Sequence, residues 1–525
     1  MDKAKRKNLI LLAIILLFGA FLRIYLIGEE SFWMDEGASA LTIKLYNGVE
    51  ILKNVYLYGQ TLPGFLPGIS DLPFYHPTLY YWSRLFSISE TSLRMYSALF
   101  GILSMIPVYF IARELFGNKN ALLSTFLFSF SLSAINYAQE ARPYSAYLFF
   151  GLCSIYYFIM SLKSNRNYHW GLYILFSLLG LYTHFLFEIL LVFQALYLAF
   201  WLFAIKGLSL KEAFMQLRKW KKGHVQKIFI SLFIIMLLSM PLILRTFRTG
   251  NAEDWREKPT LGLTLRFFVK YATWIYPDEE LKNKVASNDL ASLKASDYLL
   301  LASVAMVVLI SYLAFLNFLI SKIIKKWNFR QKFSEFAEEN QNALFAFGWW
   351  AVPVIFSCVV SFLTPIPIFG PFNYMLYTLP AFNMMMAEGL LLFRKKYFKI
   401  IIVFFLLLNV MPVYSYYANI KWQQWREMSE YMKNVAGNDE LIIISRYSGE
   451  VTFRYYYGDS DKIKGVKNVE EVSKLVKDQD SLWLILSFWK YGDPKGLIQD
   501  YINQHYYVVE SKKFFDIDVY HYRKK

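Results

Sequence analysis

The stretch "LILLAIILLFGAFLRIYLIG" (residues 9–28) decides the fold class, because it is apolar over the length that a helix needs to cross a bilayer. Arg23 is its only charged residue, and the basic segment Lys3–Lys7 precedes it. No small-residue cleavage site follows the run, which favours a retained membrane anchor over a cleaved signal peptide.

The rest of the chain has the same apolar character. Of its 525 residues, 56% are hydrophobic and only 18% are charged, and the chain contains 47 Phe and 39 Tyr. This apolar content exceeds what a soluble domain needs. We therefore predict a polytopic α-helical membrane protein with about 11 transmembrane helices. Besides the first, the predicted spans cover about 93–112, 121–138, 144–162, 168–183, 185–205, 228–247, 298–320, 343–363, 373–393 and 399–418.

The positions of Lys and Arg predict the orientation. With a cytoplasmic N-terminus, alternating spans place the basic connections, such as "KIIKKWNFRQK" (322–332), on the cytoplasmic side. The segment "HPTLYYWSRLFSIS" (76–89) is short and contains Arg84, so we predict a helix at the outer surface and not a span. The net charge of +16 then follows mostly from topology, and we expect membrane lipids and no nucleic acid among the partners.

Two domains follow from this pattern. Residues 1–420 form a predicted transmembrane domain, with residues 29–90 as a long outer loop. In residues 421–525, β-like runs such as "SLWLILSF" (481–488) alternate with amphipathic pieces, which predicts a small α/β domain. We expect a multi-pass protein of the cell membrane, with this C-terminal domain and the functional site on the extracytoplasmic side.

Two short motifs carry the candidate functional residues. "FWMDEGASA" (32–40) places Asp35 and Glu36 just after the first span, and "YAQEARPY" (137–144) places Glu140 and Arg142 after another. His76, Arg94 and His184 are predicted at the same level of the membrane. Ionisable groups near a bilayer are costly and tend to be paired or functional. Carboxylates in this arrangement suit a general base or a metal ligand, and cations suit a phosphate.

The residues alone leave structural alternatives open. The Asp-Glu pair also fits a helix cap, and Glu140 with Arg142 fits a surface ion pair. The two histidines fit structural roles, and Arg94 fits an interfacial anchor. A secondary transporter is a rival class, although transporters place charges near mid-membrane and show internal repeats. A non-catalytic scaffold that presents the C-terminal domain is another.

Four motifs, taken in their order along the chain, resemble those of a known family. The "DE" pair, "HPTLYYW" leading into "ETSLRMYSALFGIL" (90–103), "YAQEARPYSAYLFF" (137–150) and "LYTHFLFEILL" (181–191) follow one another in this order. In sequence and spacing they resemble the GT-C glycosyltransferases of the dolichyl-phosphate-mannose protein mannosyltransferase-like group, which includes the aminoarabinose transferases of lipid A. The resemblance covers about residues 8–205.

The resemblance implies an inverting transfer of a sugar from a polyprenyl (dolichyl or undecaprenyl) phosphate to an acceptor hydroxyl on a protein, lipid or glycan. It implies that Asp35 is the catalytic general base and Glu36 its acidic neighbour. Glu140 would join Asp35 in an acidic pair that can hold a divalent metal ion, and no nucleotide or organic cofactor is expected. An oligosaccharide ligase or polymerase that uses a lipid-linked glycan is the alternative enzyme.

Breaking the bond to the carrier leaves negative charge on its phosphate, which preorganised cations stabilise. The candidates for this role are Arg142, His184, His76 and Arg94. The chain departs from many relatives at "FNYMLYTLPAF" (372–382), where Asn373 replaces an expected Arg before Tyr374. The loop 248–297 contains Trp255, Trp274 and Tyr276 and is a candidate cover for the site or an ordinary outer loop.

Overall fold

A computed structural model describes most of the chain. The described residues are 3–53, 73–212, 215, 223–248, 258–274, 280–281, 284, 292–327, 331–364, 368–437, 439–445, 448–487 and 493–525. By packing, they fall into two compact units. Unit 1 is Met1–Tyr25 with Ser97–Ala418, and unit 2 is Leu26–Tyr96 with Asn419–Lys525.

The described elements are mostly helices, followed by a small sheet near the C-terminus. The α-helices are α1 (Lys3–Ile24), α2 (Met34–Leu45), α3 (Gly48–Lys53), α4 (Tyr75–Phe86), α5 (Glu90–Leu103), α6 (Met105–Phe116), α7 (Asn118–Phe130), α8 (Leu132–Ala138), α9 (Tyr144–Ser164), α10 (Asn167–Thr183), α11 (Phe187–Phe200), α12 (His224–Arg248), α13 (Leu261–Ala272), α14 (Ala295–Leu319), α15 (Phe333–Glu339), α16 (Gln341–Leu363), α17 (Leu379–Leu391), α18 (Lys395–Ala418), α19 (Trp425–Val435), α20 (Gly449–Tyr457), α21 (Val469–Leu475) and α22 (Leu497–His505). The strands are β1 (Leu441–Ile444), β2 (Ile463–Gly465), β3 (Ser481–Ser487), β4 (Tyr506–Phe514) and β5 (Ile517–Lys524).

The prediction of a multi-pass helical membrane protein is confirmed. Within the described residues, 8 helical segments are long and apolar enough to cross a membrane. They are Lys5–Ile24, Glu90–Phe116, Tyr144–Ser164, Phe187–Ile205, His224–Leu242, Ala295–Ile324, Gln341–Leu363 and Lys395–Ala418. Helices α7 and α8, bent by 60° at their junction, raise the number to 9 if they form one span.

The predicted number of eleven spans is not confirmed, and two of the predicted spans are shorter than expected. Helix α10 has 17 residues, which at about 1.5 Å per residue falls short of the roughly 30 Å hydrocarbon core. The predicted span 373–393 begins as a 3₁₀ helix, Phe372–Thr378, and only then continues as α17. Helix α4 has 12 residues, too few for a span, and its place at the outer surface stays a prediction.

Unit 1 is held together by close helix contacts and by polar groups bonded to one another. Gly389 of α17 lies so near α14 that an added Cβ would meet the Ala314 carbonyl oxygen at 1.8 Å. Ser154 and Ser177 hydrogen-bond between α9 and α10 at 2.9 Å, and Gln194 of α11 donates to Ser154 at 3.0 Å. Small residues and satisfied polar side chains are the usual means of packing helices in a membrane.

The C-terminal part of unit 2 is the predicted α/β structure. Its five strands have the order β2-β1-β3-β5-β4, with β1 parallel to β2 and β3, and β5 antiparallel to β3 and β4. In β1, Leu441 and Ile443 enter one apolar core while Ile442 and Ile444 enter another. Strand β1 is therefore buried on both faces of the sheet, whereas the edge strand β4 is mostly exposed.

The segment after the first span packs within the same unit as this sheet. Glu30 forms an ion pair with Lys421 at 2.9 Å, and the rings of Trp33 and Trp422 stack at 4.9 Å. Gly37 of α2 lies against Thr452 of α20. By packing, residues 26–96 group with the C-terminal tail and not with the rest of residues 1–420. The division into domains at 1–420 and 421–525 stays a prediction.

Candidate active site

The Asp-Glu pair lies in the first turn of α2, and the helix separates the two side chains. Successive residues point about 100° apart around a helix. Glu36 is fully buried, whereas Asp35 is partly exposed. A Glu36 Oε atom also accepts the backbone N–H of Trp33, so this carboxylate caps the helix that carries Asp35.

Arg94 neutralises Glu36 inside unit 2. Its guanidinium binds the carboxylate through Nε at 2.9 Å and a terminal nitrogen at 2.7 Å. The same group donates to the carbonyl oxygens of Ile27, Glu30 and Ser31 at 2.8–3.1 Å. These contacts use all the N–H donors of a guanidinium. Arg94 thus fixes the segment before α2, and the alternative prediction of a purely interfacial anchor does not account for these contacts.

His76 is linked to α2 through a serine. Its Nε2 lies 3.1 Å from the hydroxyl of Ser39, and that hydroxyl donates to the carbonyl oxygen of Asp35 at 3.1 Å. His76 is buried, in the first turn of α4. It therefore supports the turn of helix that carries the candidate base.

In unit 1, the motif "YAQEARPY" forms a buried turn between α8 and α9. Glu140 and Arg142 are 2% and 6% exposed, which excludes an ordinary surface ion pair. Asn136 of α8 donates to the Glu140 carboxylate, and Ser97 donates to the carbonyl oxygen of Arg142. The guanidinium of Arg142 lies 5.8 Å from the centre of the Tyr144 ring.

His184 lies in the same unit, between α10 and α11. Burial and the charge of Arg142 lower its pKa to about 3, so the ring is neutral at pH 7. Its Nδ1 accepts the backbone N–H of Leu186 at 3.3 Å, which leaves the proton on Nε2. The rings of Tyr147 and Tyr374 lie 4.9 and 5.5 Å from it. His184 can therefore donate one hydrogen bond while carrying no charge.

Lys270 of α13 was not predicted. Burial lowers its pKa to about 8, although Glu140 acts in the opposite direction. Its ammonium lies 4.1 Å from the centre of the Trp274 ring, and its carbonyl oxygen accepts from Ser133 of α8. The signal in the sequence was a lysine inside the apolar run "LRFFVKYATW" (265–274). Trp255 and Tyr276, from the same predicted loop, lie outside the described residues.

The predicted residues are thus divided between the two units. Asp35, Glu36, His76 and Arg94 belong to unit 2, and Glu140, Arg142 and His184 belong to unit 1. That the two groups form one cavity stays a prediction. In the part of the chain that the structure describes, no group of three His, Cys, Asp or Glu side chains fits a metal ion. A metal between Asp35 and Glu140 therefore stays a prediction, and the reaction proposed below does not pass through one.

Residues 73–244 match the family described as dolichyl-phosphate-mannose-protein mannosyltransferase. The predicted family resemblance is confirmed. The matched segment contains His76, Arg94, Glu140, Arg142 and His184, and the Asp-Glu pair precedes it. An uncharacterized protein of Aquifex aeolicus (strain VF5) is 26% identical over 185 residues, so the match spans about a third, 34%, of each chain.

Three solved structures are similar to this chain at low sequence identity. ArnT from Cupriavidus metallidurans in the apo state is 13% identical, with 99% of this chain and 98% of that chain covered and a TM-score of 0.43. The same protein bound to undecaprenyl phosphate is 12% identical, with coverage of 98% and 97% and a TM-score of 0.44. The Archaeoglobus fulgidus oligosaccharyltransferase complex with Zn and sulfate is 12% identical, with coverage of 96% and 72% and a TM-score of 0.46.

Proposed function

We propose that the chain is an inverting glycosyltransferase that moves a sugar from a polyprenyl phosphate carrier to an acceptor hydroxyl on the extracytoplasmic side of the membrane. The observation that carries the proposal is the family match over 73–244, which contains the buried groups Glu140, Arg142 and His184. Buried ionisable groups in a membrane protein are expensive and mark functional sites. Hydropathy alone would not distinguish this enzyme from a transporter.

Asp35 is the proposed general base. Of the two adjacent carboxylates, Glu36 is buried and bound to Arg94, while Asp35 is partly exposed. In the proposed step, Asp35 takes the proton of the acceptor hydroxyl as its oxygen bonds to the anomeric carbon. The phosphate departs from the opposite face with the electrons of the broken bond, which inverts the configuration. Glu36, Arg94 and His76 act as positioning residues for α2 in this proposal.

Arg142 and His184 are the proposed groups that bind the departing phosphate. Arg142 supplies charge, and the neutral His184 supplies an Nε2–H donor. Both are buried, so their effect on developing negative charge exceeds that of a solvated group. Lys270, with a pKa near 8, adds a second cation that is mostly protonated at pH 7. We do not include Arg94 among the phosphate-binding residues, because its donors are bound to Glu36 and to three carbonyl oxygens.

The test is transfer of a radiolabelled sugar by the purified chain in liposomes. Polyprenyl phosphates that carry a monosaccharide are compared with lipid carriers of an oligosaccharide. Turnover with the monosaccharide donor supports the proposal, and turnover restricted to the oligosaccharide favours the ligase. A chelator arm tests the metal: loss of turnover that a divalent ion restores would place a metal in the reaction.

Arg142→Ala tests the phosphate role. We expect a loss of turnover of about a hundredfold, because a preorganised group at the departing charge is removed, with partial recovery in Arg142→Lys. Arg166→Ala is the matched control, since Arg166 is exposed at the start of α10. Equal turnover by Arg142→Ala and Arg166→Ala would return Arg142 to a structural role.

A further inference from the structure

Helix α2, which carries Asp35 in its first turn, packs against helix α20 of the C-terminal α/β structure. Both helices lie in unit 2. Ala38 of α2 shares a small apolar core with Val451 of α20. Gly37 lies so near Thr452 that an added Cβ would meet atoms of that side chain at 2.2–2.6 Å. The backbone of α2 is therefore seated directly on α20.

Two side chains of α20 bond to the backbone that leads into Asp35. Thr452 donates at 3.1 Å to the carbonyl oxygen of Met34, which belongs to the peptide bond that joins Met34 to Asp35. The hydroxyl of Tyr456 accepts the backbone N–H of Phe32 at 2.7 Å. Residues four apart in a helix lie on the same face, so one face of α20 makes both bonds. These bonds fix the backbone just before the candidate base.

The hydroxyl of Tyr456 is itself held in place. It donates to the carboxylate of Glu90 at 2.7 Å, and this carboxylate also pairs with Arg426 at 3.1 Å. The Phe32 ring, which is fully buried, meets the ring of Tyr455 edge to face at 5.4 Å. A hydroxyl that both donates and accepts has one preferred orientation. The Phe32 N–H is therefore bonded to an acceptor that is fixed by other groups of unit 2.

Other side chains of α20 attach the helix to the sheet. Phe453 is fully buried in an apolar core that contains residues of β1, β3 and β5. Arg454 donates to the carbonyl oxygen of Ile463 in β2 at 2.9 Å. Glu450 accepts the backbone N–H of Gly465, also in β2, at 2.7 Å. A helix of 9 residues is marginal by itself, so α20 depends on the sheet for its position. The sheet thereby sets the position of the surface that holds α2.

We infer that Thr452 and Tyr456 are positioning residues for Asp35, which makes the C-terminal α/β structure an integral part of the transferase and not an attached binding module. A general base must lie within hydrogen-bond reach of the proton that it removes, and a misplacement of about 1 Å can lower the rate about a hundredfold. The contact between α20 and α2 is observed in the structure. Its consequence for catalysis rests on the proposed transferase function.

Amide hydrogen exchange of the full-length protein in nanodiscs, measured by mass spectrometry, tests the hold of α20 on α2. Combining Thr452→Val with Tyr456→Phe removes both hydroxyls and nearly keeps the side-chain shapes. We expect residues 32–40 to exchange at least about tenfold faster, because two bonds to this segment are lost, while β3 keeps the wild-type rate. Tyr457→Phe is the matched control, since the Tyr457 ring stacks on Phe453 of the sheet core. Unchanged exchange of residues 32–40 in the double variant would overturn the inference.

Sugar-transfer kinetics at a temperature well below the Tm test the consequence for catalysis. The double variant should lower kcat at least about tenfold and change the KM of the polyprenyl phosphate donor less than about twofold, because the base is displaced while the proposed phosphate-binding residues are untouched. Tyr457→Phe should keep the wild-type kcat. Thr452→Ser should recover most of the kcat that Thr452→Val loses, since it restores the donor to Met34. A wild-type kcat in the double variant would overturn the positioning role.

The two measurements separate failure of this inference from failure of the proposed function. Sugar transfer by the wild type and equally by the double variant would reject the positioning role and keep the transferase. No sugar transfer by the wild type would reject the transferase and, with it, the catalytic role of Thr452 and Tyr456. Faster exchange of residues 32–40 in the double variant would then still support the hold of α20 on α2.

Discussion

Replacing Arg94 by Met removes the cation that neutralises Glu36 while keeping a long apolar side chain. The pair is 3% and 0% exposed, so the remaining carboxylate would be buried without its cation. Such a broken pair costs about 3–5 kcal/mol. The carbonyl oxygens of Ile27, Glu30 and Ser31 also lose donors, each worth about 1–3 kcal/mol if left unpaired. The sum approaches the stability of a whole domain, about 5–15 kcal/mol.

A double variant tests whether the unpaired Glu36 carboxylate causes the loss of stability. Glu36→Gln combined with Arg94→Met removes both charges, so it should be less destabilising than Arg94→Met alone, by about 2 kcal/mol or more. Lys474→Met is the control, because the Lys474–Glu470 pair is 68% and 76% exposed and should contribute less than about 0.5 kcal/mol.

The assay is thermal unfolding of the full chain in nanodiscs by tryptophan fluorescence, together with trypsin cleavage of unit 2. We expect Arg94→Met to lower the Tm by at least about 10 °C and to expose unit 2 to trypsin. The double variant should recover part of that loss. A shift for Arg94→Met no larger than for Lys474→Met, or a double variant that is worse than the single one, would refute the argument that the buried pair holds α2 in place.

Three further predictions concern packing, pH and topology. Gly37→Ala should destabilise unit 2 by about 1–3 kcal/mol in a thermal melt, since the new Cβ would lie 2.2 Å from the Thr452 hydroxyl, and Thr452→Ala should relieve this only in part, because the Cβ of residue 452 would still lie 2.6 Å away. Burial raises the pKa of Glu440, but hydrogen bonds from three side chains and a backbone N–H outweigh it and lower the pKa to about 2. The Glu440 carboxylate therefore contributes at most about 3 kcal/mol to the stability above pH 4.5, and this contribution is lost as the pH falls towards 2. In thermal melts, Glu440→Gln should lack this part of the decrease in Tm at acid pH. A cysteine at Ser209 should be shielded from an impermeant thiol reagent in intact cells and one at Ser473 labelled; the reverse would reject the orientation.

The fold class could be predicted because hydropathy and periodicity are local. Apolar runs of span length predicted most of the membrane helices, and short β-like runs such as Leu441–Ile444 predicted the small C-terminal α/β structure. The grouping of residues 26–96 with the C-terminal tail could not be predicted. It depends on contacts such as Glu30 with Lys421, which are 391 positions apart in the sequence.

In the candidate site, too, contacts between residues far apart in the sequence could not be predicted. The motifs made Asp35, Glu140, Arg142 and His184 candidates, because ionisable groups stand out beside apolar runs. The partner of Glu36 was not predictable, since Arg94 lies 58 positions away and its role depends on the fold. Lys270 was missed because its helix, α13, was taken as part of a long loop.

The central claim is that Asp35 removes the acceptor proton. The most direct test compares sugar transfer from a polyprenyl phosphate monosaccharide by the wild type, Asp35→Asn and Glu50→Gln. Glu50 is an exposed carboxylate in the first turn of α3, in the same segment, and serves as the matched control. We expect Asp35→Asn to lose turnover by about a hundredfold or more with an unchanged Tm, while Glu50→Gln keeps its turnover. Wild-type turnover that survives in Asp35→Asn would contradict it.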